Sequence, residues 1–156
     1  MSSLPERIIR SAAAAGKTVA AAESLTAGMV AAELGGVAGA SAVLQGGVVA
    51  YQNAVKEKVL GVDGALLAAA GSVDSRVAEQ MAAGVRNLLG AEFGVATTGV
   101  AGPDPHDGKD VGTVFIGLAG PAGTASHEFH FGGDRASIRS QACAAALELL
   151  ARQLDA

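Results

Sequence analysis

Residues 19–28 read VAAAESLTAG, a short apolar run that stops at a carboxylate, two hydroxyls and a glycine. This order predicts a strand over 19–22 that turns into a helix ending near Leu34, because Ser24 and Thr26 are both good helix N-cap residues. A strand-to-helix turn leaves backbone N–H groups unpaired beside an exposed hydroxyl, and such a turn can hold a phosphate or a developing oxyanion. The sequence therefore leaves three roles open for Ser24: nucleophile, anion ligand or helix cap.

The rest of the chain alternates between strand and helix patterns around this stretch. Apolar runs bounded by turn residues predict strands, and apolar residues at helical spacing predict helices. Strands are expected at 42–51, 93–97, 112–119 and 127–131, and helices from Pro5 to Gly16, at 54–60, at 63–70, from Asp74 or Ser75, and at 135–154. Strand, helix, strand is a βαβ unit, which gives parallel strands and a right-handed crossover. No linker is visible, so an α/β fold in one domain over residues 1–156 is predicted.

Composition and charge exclude several classes of function. The chain has 156 residues, half of them hydrophobic, so it can bury a substantial core. Its net charge of -4 and the lack of clustered Lys and Arg argue against a nucleic-acid partner. Cys143 is the single cysteine and cannot form an internal disulfide; without a signal-peptide pattern, this predicts a cytoplasmic protein. Residues 34–55 are uncharged, but glycines and polar residues interrupt them, so no membrane span is expected.

Three hydroxyls are expected to meet at one edge of the sheet. Ser24, Tyr51 and Thr98 each sit where a predicted strand ends. The carboxyl ends of parallel strands gather at one edge, and ligands bind there in open α/β sheets. The three hydroxyls therefore converge on one site if their strands are parallel.

Lys56 is the most informative single residue, because Asn53 as the predicted N-cap places it in the first turn of the next helix. A cation there faces the positive end of the helix dipole and is disfavoured by roughly 0.3 to 1 kcal/mol, which is weak support for a functional role. This location and burial would lower its pKa toward the range of about 7 to 8 in which a lysine acts as a general base. A neutral Lys56 could take the proton of Ser24, and Tyr51 could relay that proton or orient the pair. The alternatives are a solvated Lys56 and a Tyr51 that only covers the core.

Two further polar groups have competing interpretations. The first is a set of candidate oxygen and imidazole ligands in one long loop: Asp104, His106, Asp107 and Asp110. They lie among prolines and glycines without a recognised metal spacing, so no metal site is predicted. The second is Arg135, which could bind an anionic substrate group through its fixed fork of donors. The alternative is that Arg135 only follows Asp134 in an ordinary helix-capping sequence.

Five sequence blocks, taken in order, resemble the CinA C-terminal domain family. They are ESLTAG at 23–28, YQNAVK at 51–56, TGVAGPD at 98–104, VGTV at 111–114 and GDR at 133–135. This family includes stand-alone nicotinamide-nucleotide amidohydrolases, which hydrolyse the carboxamide of nicotinamide mononucleotide to give nicotinate mononucleotide and ammonia. The resemblance spans nearly the whole chain, and it implies a three-layer α/β/α sandwich with a mixed, mainly parallel sheet, usually in a homodimer.

The resemblance also implies roles for individual residues. The family's catalytic serine, lysine and tyrosine fall on Ser24, Lys56 and Tyr51, and no cofactor or metal is implied. Substrate contacts are expected from six residues: Thr26, Gly28, Asn53, Thr98, Gly99 and Arg135. Backbone N–H groups near Thr26 to Gly28 or at Gly99 would hold the oxyanion, and Arg135 would hold the 5′-phosphate. Many members have Cys and Gly where this chain has Leu25 and Ala27, which leaves the substrate preference open.

The expected function is a metal-independent amidase that acts on nicotinamide mononucleotide through a serine and a lysine. Two alternatives remain open. The first is a nucleotide-binding or partner module without turnover, which would fit the family's association with competence and DNA damage. The second is amide or ester hydrolysis of another small metabolite.

Overall fold

The strand that precedes Ser24 lies inside a five-stranded sheet. The computed structural model describes all 156 residues. Its strands are β1 (Val19–Glu23), β2 (Leu44–Val49), β3 (Phe93–Gly99), β4 (Thr113–Gly120) and β5 (Gly123–His130). They lie in the order β2-β1-β3-β4-β5.

The strand directions place three carboxyl ends at one edge of the sheet. β1 pairs in parallel with both β2 and β3. β4 runs antiparallel to β3, and β5 runs antiparallel to β4, so β4 alone opposes the other strands. The sheet is therefore mixed and mainly parallel, as predicted, and the carboxyl ends of β1, β2 and β3 lie side by side.

Helices cover both faces of the sheet. They are α1 (Leu4–Ala15), α2 (Met29–Gly35), α3 (Asn53–Leu60), α4 (Gly64–Ala70), α5 (Ser75–Leu89) and α6 (Arg135–Asp155), with a short 3-10 turn at Ala40–Ala42. α1, α2 and α6 pack on one face, where Val19 and Ala21 of β1 join the larger core cluster. α3, α4 and α5 cover the other face, to which Ala20 and Ala22 contribute. Since both faces are buried, β1 is a continuous apolar run, and the architecture is the expected three-layer α/β/α sandwich.

Several strand boundaries differ from the prediction. β3 continues to Gly99, whereas the sequence analysis ended it at Thr97, because its antiparallel pairing with β4 extends that far. β2 begins only at Leu44, since residues 40–42 form the 3-10 turn. Thr98 therefore lies inside a strand and is not the first residue of the loop that follows.

The order of elements in the C-terminal part of the chain follows the prediction, although β5 begins at Gly123 and not at His127. β4 and β5 form the expected antiparallel hairpin. α6 begins after Asp134, whose carboxylate accepts the N–H of Ser137, so the capping role of Asp134 is confirmed and Arg135 is the first helical residue. None of the helices combines the length and the apolar character needed to cross a membrane.

Candidate active site

Ser24 and Lys56 meet at the carboxyl edge of the parallel strands. Ser24 follows β1 directly, and Lys56 projects from α3, which follows β2. Nζ of Lys56 lies 3.0 Å from Oγ of Ser24 and 3.0 Å from the backbone carbonyl oxygen of Tyr51. Because β1 and β2 are parallel neighbours, the segments that follow them emerge side by side. This adjacency forms the Ser24–Lys56 pair.

The Lys56 amine is buried and forms no ion pair. Lys56 is fully buried and Ser24 is 9% exposed, and no carboxylate lies within salt-bridge distance of the amine. Burial lowers the pKa of Lys56 to about 8, although the charge of Asp107 acts in the opposite direction. Above that pH the amine is mostly neutral. Its lone pair can then accept the Ser24 hydroxyl proton while one N–H stays on the Tyr51 carbonyl.

The predicted N-cap of α3 was wrong by one residue. Gln52 takes the extended cap conformation, and its carbonyl oxygen accepts the N–H groups of Val55 and Lys56. Asn53 is the exposed first residue of the helix. Lys56 nevertheless remains at the N-terminal end of α3, where the helix dipole and burial both disfavour an ammonium.

The turn after β1 also differs from the predicted one. Neither Ser24 nor Thr26 caps α2, and Gly28 stands at the N-cap position without a side-chain hydrogen bond. The two carboxylate oxygens of Glu23 accept N–H groups from the start of this helix instead, at 2.8 and 3.0 Å. A capping role is thereby excluded for Ser24, and this helix terminus is already occupied by an anion of the protein itself.

A cavity of about 290 Å³ opens beside Ser24. Its walls come from the turn after β1, the loop after β3 and the start of α6. The lining residues are Ser24, Leu25, Tyr51, Ser72, residues 99–106 and Arg135. A larger groove of about 650 Å³ lies between α1 and α2, but neither member of the Ser24–Lys56 pair contributes to it. The smaller cavity is therefore the candidate active site.

Three of the predicted site residues line this cavity in addition to Ser24: Gly99, Tyr51 and Arg135. The guanidinium of Arg135 donates to the Gly102 carbonyl at 2.6 Å and to the Tyr51 phenol oxygen at 2.9 Å. Tyr51 is 48% exposed, and its phenol forms no hydrogen bond with the Ser24–Lys56 pair. Tyr51 reaches the pair through its backbone carbonyl, so a proton relay through the phenol stays a prediction.

The other four predicted substrate contacts lie outside the cavity lining. Thr26 and Thr98 are fully buried, and protein acceptors already take their hydroxyl protons. Gly28 is the N-cap of α2, and Asn53 is exposed at the start of α3. Direct contact of substrate with these two hydroxyls, with Gly28 or with Asn53 stays a prediction that this geometry does not favour.

Asp107 belongs to the site although the sequence analysis weighed it only as a metal ligand. Its carboxylate accepts the N–H of Ser72 at 3.2 Å and lies 3.2 Å from Nε2 of His106. No group of three His, Cys, Asp or Glu side chains is placed to hold a metal ion. Asp107 instead links the long loop after β3 to Ser72 in the cavity wall. The sequence could not predict this contact, because it depends on the path of the loop.

Glu23 is a buried charged residue to which the sequence analysis gave no role. It is 1% exposed at the end of β1 and directly precedes Ser24. The sequence did contain an indication of a buried carboxylate, because Glu23 follows four apolar residues of a strand that is buried on both faces. Such a group must find several hydrogen-bond donors when it is buried.

The fold and the site together define a three-layer α/β protein with a buried serine–lysine pair at the carboxyl edge of its parallel strands. The family model described as the CinA C-terminal domain matches residues 1–154. The chain belongs to this family.

Known relatives and solved structures agree with that assignment. A CinA-like protein of Frankia casuarinae is 55% identical over 137 residues, which are 88% of this chain and 32% of that protein. A CinA-like protein of Anaeromyxobacter dehalogenans is 52% identical over 150 residues, or 94% of this chain and 36% of that protein. The chain thus spans about a third of the length of these curated relatives. The competence/damage inducible protein CihA from Agrobacterium tumefaciens has a TM-score of 0.93 at 38% identity, and the match covers 98% of this chain and 94% of that one.

Proposed function

We propose that this chain is a nicotinamide-nucleotide amidohydrolase that converts nicotinamide mononucleotide to nicotinate mononucleotide and ammonia. The observation that carries the proposal is the 3.0 Å contact between the Ser24 hydroxyl and the fully buried Lys56 amine beside a cavity. A buried lysine without a carboxylate partner is costly for a fold. Here it supplies a neutral base to an adjacent nucleophile, which is the arrangement that amide cleavage through an acyl-enzyme requires.

The first half-reaction forms an ester on Ser24. Nζ of Lys56 takes the hydroxyl proton as Oγ attacks the carboxamide carbon, and the carbonyl electrons move onto oxygen. When the tetrahedral intermediate collapses, the C–N bond breaks. The Lys56 ammonium gives its proton to the departing nitrogen, which leaves as ammonia and returns the amine to its neutral form.

The second half-reaction consumes one water molecule. Lys56 takes a proton from the water as its oxygen attacks the ester carbon. The bond from that carbon to Oγ then breaks, and the proton passes from Lys56 to Oγ. The product acid loses its proton to solvent, so the enzyme returns to its starting state.

Backbone N–H groups next to the nucleophile are the oxyanion donors in this mechanism. The N–H of Ser24 itself donates to the carbonyl and hydroxyl oxygens of Thr97, at 3.0 and 3.3 Å. The N–H groups of Leu25 and Thr26 donate to no protein acceptor. Since an oxyanion hole needs donors that are free before substrate arrives, these two peptides are proposed for the role.

Arg135 is proposed to hold the 5′-phosphate at the rim of the cavity. A guanidinium carries five N–H donors, and the two bonds to Gly102 and Tyr51 leave three of them for a ligand. The same two bonds fix the plane of the guanidinium, so its fork is oriented before the phosphate binds.

Tyr51→Phe tests how the phenol contributes. The change removes the hydrogen bond to Arg135 but keeps the backbone carbonyl that holds the Lys56 amine. We expect KM for nicotinamide mononucleotide to rise about three- to ten-fold while kcat stays within about three-fold, since a hydrogen bond at an exposed position is worth about 1 kcal/mol. Steady-state kinetics distinguish the hydrogen bond to Arg135 from a proton relay. Loss of a relay would lower kcat by about 100-fold at unchanged KM.

Asp107→Asn tests the charge near the base. The Asp107 carboxylate raises the pKa of Lys56, so its neutralisation lowers that pKa further below the ordinary value. The neutral amine is then present at lower pH, and the acidic limb of the profile of kcat/KM against pH moves to lower pH. We expect roughly two- to five-fold higher kcat/KM at pH 6.5, which is a shift of a fraction of a pH unit. Asp110→Asn, in the same exposed loop, is the matched control; an equal shift in both variants would contradict the assignment.

The direct test of the function is ammonia release from nicotinamide mononucleotide by the purified chain, with nicotinate mononucleotide identified as the second product. Nicotinamide riboside, which lacks the phosphate, is the matched comparison and is expected to have a higher KM. Equal kinetics on both compounds would remove the phosphate role of Arg135. Tight binding of nicotinamide mononucleotide without ammonia release would contradict the proposal and favour a binding module.

A further inference from the structure

Glu23 carries a buried negative charge that the proposed mechanism does not use. No Lys, Arg or His lies within salt-bridge distance of its carboxylate. The carboxylate accepts three hydrogen bonds instead: from the Thr26 hydroxyl at 2.7 Å, from the N–H of Val30 at 2.8 Å and from the N–H of Ala31 at 3.0 Å. A charge buried without a cation persists only where such donors are held in place. The local structure is therefore built around this group.

The hydrogen bonds that connect Glu23 to Ser24 have one direction only. A carboxylate can only accept, so the single proton of the Thr26 hydroxyl points to Glu23. In the 2.7 Å contact between the Thr26 and Thr97 hydroxyls, Thr97 must consequently be the donor. The Thr97 oxygen then accepts the N–H of Ser24 at 3.3 Å. The chain thus runs from the Ser24 N–H through the hydroxyls of Thr97 and Thr26 to the charge of Glu23.

Arg139 also binds the turn after β1. The Arg139 guanidinium donates to the carbonyl oxygens of Leu25 and Thr26, at 2.9 and 3.3 Å. Its bonds, together with those of Glu23, fix the peptides directly after Ser24 and leave the Leu25 and Thr26 N–H groups without protein acceptors.

We propose that Glu23 is a positioning residue: its carboxylate orients the turn after β1 so that Oγ of Ser24 faces Lys56 and the Leu25 and Thr26 N–H groups face the reacting carbonyl. The kinetic consequence rests on the proposed amidohydrolase function, whereas the geometric consequence does not. A misplacement of about 1 Å at a nucleophile can slow a reaction by about 100-fold. The effect should fall on kcat, because Arg135, which is proposed to hold the phosphate, is not part of this network, whereas the nucleophile and the oxyanion donors act in the transition state.

Glu23→Gln is the decisive variant. Glutamine keeps the size of the side chain, but it replaces one acceptor oxygen with a donor that faces another donor of the turn. We expect kcat to fall about 30- to 100-fold, with KM within about three-fold of wild type. Leu34→Ala is the matched control, because Leu34 is a fully buried apolar residue of α2, the helix whose N–H groups Glu23 accepts, and its side chain cannot form a hydrogen bond. It lowers the melting temperature but should keep kcat per folded molecule within about two-fold.

A hydroxyl variant tests the same network without changing the charge. Thr97→Val removes the link between Thr26 and Ser24 and should lower kcat about ten-fold, whereas Thr97→Ser keeps the hydroxyl and should restore most of it. These variants give an answer even if Glu23→Gln does not fold. Wild-type kcat in Thr97→Val, or an equal loss in Thr97→Ser, would overturn the proposal.

A crystal structure of the Glu23→Gln or Thr97→Val variant separates this proposal from the proposed function. We expect the Ser24 Oγ to Lys56 Nζ distance to exceed about 3.5 Å in the variant, which is beyond hydrogen-bond range. Retention of the 3.0 Å contact with an unchanged turn would overturn the positioning role, whether or not the wild type releases ammonia. If the contact is lost but the wild type has no amidase activity, the positioning role stands and the reaction assignment fails.

Discussion

Ser24→Ala is expected to lower kcat for ammonia release from nicotinamide mononucleotide by at least about 1,000-fold. The hydroxyl is the atom that forms the acyl-enzyme, and no second nucleophile contacts the Lys56 amine. The change removes one buried hydroxyl and leaves the backbone network of the turn intact, so nucleotide binding should be almost unchanged. Isothermal titration with nicotinate mononucleotide would then show a dissociation constant within about three-fold of wild type.

Ser41→Ala is the control for this prediction, since Ser41 is an exposed serine in the 3-10 turn. Its kcat should equal that of the wild type. Turnover by Ser24→Ala within about ten-fold of wild type would show that water attacks the carboxamide directly, and the covalent mechanism would have to be abandoned.

Lys56→Met is expected to abolish activity and to stabilise the protein at the same time. Activity should fall by at least about 1,000-fold, because the serine loses its base. Folding lowers the pKa of Lys56 from 10.5 to about 8, so the unfolded chain binds more protons than the native one between these values, and native stability rises with pH there. At pH 7 the native state therefore carries a penalty that methionine removes.

The stability gain of Lys56→Met should be about 1 to 2 kcal/mol at pH 7. The full pKa shift corresponds to roughly 3 kcal/mol, but the loss of the two hydrogen bonds of the amine offsets some of it. Urea unfolding at pH 7 and at pH 11 measures the effect, which should disappear at the higher pH. Lys58→Met, an exposed lysine of the same helix, is the control and should change neither activity nor stability appreciably. Destabilisation at pH 7 by Lys56→Met would mean that Lys56 is an ordinary structural lysine.

The meeting of Ser24 with Lys56 could be predicted from local sequence patterns. An apolar run that ends at Ser24 and a second run that ends near Tyr51 predict two parallel strands, and parallel neighbours bring their following segments to one edge. Only the parallel pairing of these two short strands was needed for that conclusion. The structure confirms it with the parallel register of β1 and β2.

The details that decide how the site works depend on long-range contacts and could not be predicted in the same way. Ser24 and Thr26 are statistically good N-caps, yet the helix starts later, at Met29, and the buried side chain of Glu23 accepts N–H groups of its first turn. The phenol of Tyr51 binds Arg135, which begins the last helix of the chain. Hydrogen bonds of this kind join segments far apart in sequence, and no local periodicity encodes them.

The most direct test of the central claim is the rate at which a fluorophosphonate probe labels Ser24 at different pH values in the wild type and in Lys56→Met. Labelling measures the nucleophilicity of the hydroxyl and does not require the natural substrate. The account predicts a wild-type rate that rises with pH through a midpoint near 8, the pKa of Lys56. It also predicts that the rate in Lys56→Met is at least about 100-fold lower and lacks that midpoint. Equal labelling of Ser24 in the two proteins would contradict the claim that the buried amine activates the serine.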